Sequence, residues 1–79
     1  MYLYICNNDA YPFMETAFTS CGTRQEAEDL FKKDLLDTLR VSSMEEALAS
    51  LAEDDTLEDG YASVKNGKGE VITLLIKEF

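Results

Sequence analysis

The apolar positions of the chain repeat first every second residue, then at helical spacing, then every second residue again. Tyr2, Tyr4 and Cys6 alternate with Leu3 and Ile5, a period that predicts a strand. Asn7-Asn8-Asp9 supplies turn chemistry. A second extended run is expected over about 13–20, with Met14, Thr16 and Phe18 on one face and Pro12 at its start, where a missing N–H is tolerated. Ala27, Leu30, Phe31, Leu35 and Leu39 then form a helical stripe behind Thr23-Arg24-Gln25-Glu26. That tetrad is a capping box, with Thr23 as N-cap and Glu26 reaching back, and the helix is expected to run to about Arg40. Ser43-Met44-Glu45-Glu46 opens a shorter helix in the same way, with Met44, Ala47, Leu48, Leu51 and Ala52 facing inward.

From Tyr61 the period is two again. Strands are predicted over 61–65 and 70–79, joined by Asn66-Gly67-Lys68-Gly69, a strong hairpin signal. Val71, Ile72, Leu74, Leu75 and Ile76 are nearly continuous, which predicts a central strand covered on more than one side. The expected fold is a single α+β domain over 1–79. Its order is ββααββ, an antiparallel sheet of about four strands with two helices on one face.

At 79 residues such a domain buries only about 60–65% of its unfolded surface. Cys6 and Cys21 are too few for a disulfide framework, and with no histidine they form no zinc site. Free thiols are expected, which fits a reducing compartment. No stretch has the character of a secretion signal or a membrane span, so a cytoplasmic location is expected.

Charge changes the picture most. The total is −9, which argues against direct contact with nucleic acid or an anionic membrane and favours a basic partner. Residues 42–60 hold Glu45, Glu46, Glu53, Asp54, Asp55, Glu58 and Asp59 without one lysine or arginine. The first helix differs. Its Glu28–Lys32 and Asp29–Lys33 spacings predict the i, i+4 pairs of a solvated face. Glu45 and Glu46 fall in a first helical turn, where carboxylates complement the helix dipole. Glu53, Asp54 and Asp55 fall at the expected helix exit, where negative charge is disfavoured, and Glu58 and Asp59 extend the same run. Glu46 and Glu53 are seven residues apart, about 10.5 Å on a helix, close to the rise of about 10 Å over three phosphate steps. These carboxylates are the candidate partner-binding residues. A purely solubilising role for them stays open beside that one.

Catalysis finds no support in the residue types. Histidine is absent, and no cationic cluster adjoins either cysteine to activate it. Placing Asp55 at the head of a calcium loop puts Leu57 and Asn66 where carboxylate ligands are required, so that match fails. No cofactor or metal is expected. Tyr2, Tyr4, Tyr11 and Phe13 are read as core and edge packing rather than stacking platforms.

In size, charge and the segment Glu45-Glu46…Glu53-Asp54-Asp55…Glu58-Asp59, the chain resembles the small acidic inhibitors carried by phages and mobile elements: anti-CRISPR proteins, antirestriction proteins and the uracil-DNA glycosylase inhibitor. The resemblance is one of class and has no diagnostic motif. It implies a non-enzymatic DNA mimic that occupies the nucleic-acid groove of a basic protein, a CRISPR effector or a nuclease. An acidic immunity or antitoxin protein against a nuclease toxin is the main alternative. A monomer is expected, with the first and last strands as the candidate edges for any subunit pairing.

Overall fold

The computed structural model describes residues 1–10 and 13–79, with the side chains of 1–9 and 16–79. The expected places of Tyr11 and Pro12, and of the Phe13 and Met14 side chains, lie outside the described residues. The elements are β1 (Tyr2–Ala10), β2 (Phe13–Cys21), α1 (Arg24–Leu39), α2 (Met44–Ser50), β3 (Thr56–Glu58), β4 (Tyr61–Lys65) and β5 (Val71–Glu78). They build one antiparallel five-stranded sheet in the order β2-β1-β5-β4-β3. Strand number and order therefore depart from the expected ββααββ. The added strand is Thr56-Leu57-Glu58, too short to show a period of its own. It forms because Leu57 packs on the core opposite Ala62 and because Gly60, at φ 75°, turns the chain back into β4.

Asn7-Asn8-Asp9 is strand, not turn. Asn7 pairs with Thr16 on one side and Thr73 on the other, and two flanking ladders outweigh its local preference. β5 is central, as the apolar run predicts.

Both helices begin where the capping boxes place them. Thr23 Oγ1 accepts from the Glu26 N–H at 3.3 Å, and Ser43 Oγ accepts from the Glu46 N–H at 3.2 Å. In each box the glutamate accepts from the N–H of the residue before the cap, Gly22 at 3.3 Å and Ser42 at 3.2 Å. α1 stops in a Schellman turn: Arg40 is left-handed (φ 57°) and the Val41 N–H donates to the Leu36 carbonyl at 3.1 Å.

One face of the sheet carries the core. Tyr4, Cys21, Ala62, Val64, Ile72 and Leu74 are buried there with Ala27, Phe31 and Leu35 of α1. α2 packs on α1 rather than on the strands, burying Ala47 with Met44 and Leu51 beside it. Leu48, expected inward, is 59% exposed, and Ala52 is exposed past the end of the helix. The other sheet face has an apolar row running directly across four strands, Phe18–Ile5–Leu75–Tyr61. β5 alternates between buried and half-buried positions, so its continuous hydrophobicity reflects this row and not a second covering layer.

Candidate functional site

The seven carboxylates of residues 42–60 lie along α2, the turn that follows it, and the β3 edge. α2 spans only Met44–Ser50, and its C-cap Leu51 is extended (ψ 134°). Glu53, Asp54 and Asp55 are therefore outside the helix, and the helical spacing expected between Glu46 and Glu53 does not apply. These acids follow the C-cap and do not stand in the last turn of α2.

Their roles divide by partner. Glu46 is held by its cap: its Oε2 accepts from the Ser42 N–H and its Oε1 from the Ser42 hydroxyl at 3.2 Å. Asp55 is half-buried and ties the turn to β4, Oδ2 accepting from the Ala52 N–H at 2.9 Å and Oδ1 from the Lys65 N–H at 3.3 Å. Asp54 pairs with Lys65 Nζ at 2.7 Å, and Asp59 with the Arg24 guanidinium at 3.0 Å. The hydrogen bond from Lys65 holds the Asp54 carboxyl below its ordinary range, and the reciprocal contact raises Lys65. Arg24 is likewise raised, first by its hydrogen bond to Glu28 and then by Asp59. Among the described residues, Glu45, Glu53 and Glu58 are exposed and enter no ion pair.

Lys65 and Arg24 are the residues that sequence reasoning missed here. They lie 11 and 35 positions from their partners, so no local spacing pointed to them. Arg24 also takes Glu28 at 2.8 Å, while Gln25 takes Asp29 at 2.8 Å. These contacts stand where the Glu28–Lys32 and Asp29–Lys33 pairs were expected.

A separate cleft of about 590 Å³ opens between the C-terminal half of α1 and β1–β2, bordered by Cys6, Asn8, Asp34, Asp37 and Thr38. The buried Tyr4 hydroxyl donates to Asp34 at 2.6 Å, and burial, reinforced by Asp34, holds the phenol protonated well beyond its ordinary range. Burial and then Asp34 push the Cys6 thiol up as well, the direction opposite to an activated nucleophile. Cys6 stands opposite Ala17 and Cys21 opposite Tyr2. That separates the two free thiols by about 13 Å of strand, beyond bridging range. Among the described residues no three acidic or thiol side chains converge on a metal position, and no helix is long and apolar enough to cross a membrane.

No protein-family model, curated protein or solved structure matches the chain.

Proposed function

We propose that the acidic edge formed by α2, the 51–55 turn and β3 is a protein-binding surface. It engages the basic nucleic-acid groove of another protein and excludes DNA from it, as an anti-CRISPR protein of the DNA-mimic type would. The observation that supports this is the unpaired set Glu45, Glu53 and Glu58, exposed beside Asp54 and Asp59. Carboxylates in that state offer charge-assisted hydrogen bonds to lysines and arginines placed for phosphates. The pairs to Arg24 and Lys65 are surface pairs, weak enough to be exchanged for a partner's cations. No chemistry is required, since occupancy of the groove is the inhibition. Steering by the acidic edge makes association fast and sensitive to salt.

The solubility reading draws on a specific observation too: Glu46, Asp54, Asp55 and Asp59 all have intramolecular partners. Competition for target DNA separates the two. RNA-guided effectors loaded with labelled DNA are titrated with the protein and with a variant carrying Glu45→Lys, Glu53→Lys and Glu58→Lys. The expected result is DNA release by the native protein, weakening as salt rises, and loss of release by the variant. Equal release by both removes the acidic edge as the site. Release by neither, across the effectors tested, removes the proposed class.

A further inference from the structure

The two edges of the sheet are unlike. β3 has three residues and is flanked by acids, which blunts it. β2 has nine, and its register against β1 runs unbroken from Tyr2↔Cys21 to Ala10↔Phe13, with no bulge. It holds no lysine and no proline, the usual devices against edge pairing. Thr16, Ala17, Phe18, Thr19 and Ser20 are all exposed, so this part of β2 is uncovered on both faces, whereas Cys21 is buried under α1. Phe18, 63% exposed, ends the apolar row of the open face at this edge.

We infer that β2 pairs antiparallel with β2 of a second copy of this chain, forming a twofold dimer with one continuous ten-stranded sheet. The composition of the strand fits a second copy as occupant, because self-pairing brings no like charges into register. Glu15 is the only charged residue of β2. In any antiparallel self-pairing centred between Ala17 and Thr19, Glu15 meets a residue between Thr19 and Thr23, none of which is charged, and the two Glu15 residues are not diagonal neighbours. Like-charge contact, the ordinary obstacle for a chain of −9, does not arise at the seam. The acids of residues 42–60 sit at the opposite edge. In the joined sheet the two β3 strands lie about 43 Å apart, at about 4.8 Å per strand, against a screening length of about 8 Å at physiological salt. The pairing also carries the row Phe18–Ile5–Leu75–Tyr61 across the seam into its symmetric copy. Such an interface is isologous and closes on itself.

Sedimentation equilibrium from micromolar to submillimolar protein tests this. The native chain is expected as a discrete species of twice 8.9 kDa, with a dissociation constant that changes little with salt. Phe18→Lys and, separately, Thr19→Lys are each expected to weaken it at least tenfold while circular dichroism stays native. Leu48→Lys, on α2, is expected to leave the dimer unchanged. A native chain that stays monomeric overturns the inference and leaves β2 as an edge for another chain's strand. Dimers unaffected by both lysines, or open-ended polymers, overturn it as well. The variant reversed at Glu45, Glu53 and Glu58 is expected to dimerise normally, so this result and the DNA-competition result fail independently.

Discussion

Two side chains show how the surroundings of a single polar group decide its role. Tyr4 is 3% exposed and its hydroxyl is aimed at Asp34. Removing it by Tyr4→Phe deletes a hydrogen bond to a carboxylate, and a loss of about 1.5–3 kcal/mol is expected in denaturant unfolding. Burial of the phenol, reinforced by Asp34, also makes stability fall at alkaline pH. The unfolded phenol releases its proton near its ordinary value of about 10, whereas the folded one keeps it well above that. Above pH 10 or so the unfolded state binds fewer protons and is favoured as pH rises. Melting temperature is expected to be flat on this account below that point and to drop above it, with a shallower drop in Tyr4→Phe. Asp55 and Glu53 make the second contrast, two neighbouring acids with different work. Asp55→Ala removes two backbone contacts that lock the turn to β4 and is expected to cost about 1 kcal/mol. Glu53 is exposed and enters no ion pair, and Glu53→Ala is expected within about 0.5 kcal/mol of native by the same unfolding measurement. If the two losses are equal, the division of the acids into structural and free members is wrong.

Among the elements, what could be read in advance depended on whether the signal was local. The capping boxes at Thr23 and Ser43 placed both helix starts because each cap is satisfied within four residues. β4 was legible to the residue, since Tyr61–Lys65 is bounded by a glycine and by Asn66. The hairpin after it falls where Asn66-Gly67-Lys68-Gly69 places it, with the positive φ at Gly69 (78°). A type I turn closes from the Gly69 N–H to the Asn66 carbonyl at 3.1 Å, and Asn66 Oδ1 accepts from the Lys68 and Glu70 N–H groups. Gly69→Ala is therefore expected to destabilise by about 1 kcal/mol from backbone strain alone, as nothing lies within 4 Å of the added methyl. Gly67→Ala, which brings a methyl to 3.4 Å from the Arg40 guanidinium without a positive φ, is expected to cost less in the same chemical melts. β3 stayed invisible because three residues cannot display a period, and its pairing partner is what makes it a strand. For the acidic site the reason is similar. The segment itself was plain from the sequence, but the cations that divide its members come from α1 and β4, and only the folded chain brings them there.

At the scale of the molecule, the sheet separates two kinds of surface by its full width. One edge is short and flanked by acids, the other long with a single charge. Contacts made by the first are governed by Coulomb forces and fade with salt, while those made by the second are backbone pairing and apolar contact that salt hardly screens. The two proposals therefore predict different salt responses within one protein, a marked weakening and almost none, and a single titration of ionic strength separates them. The edge identity was the hardest feature to foresee. β1 and β5 were the expected candidates, and both are interior, because β5 enters the sheet between β1 and β4.

That insertion also sets the order in which the molecule can come together. The central ladder joins Tyr2 to Glu78 and Asp9 to Val71, so it closes only when nearly the whole chain has been gathered. The β1–β2 and β4–β5 hairpins and α1 are local and form in microseconds, whereas the ladder between the hairpins carries the loop-closure entropy of the entire sequence. During synthesis β1 waits for the last strand to be made. Until β5 arrives, Ile5 and Tyr4 lack one of their two neighbours, and β1 is an edge in its own right. The long strand beside it, with no lysine or proline to guard it, is then doubly open to wrong partners.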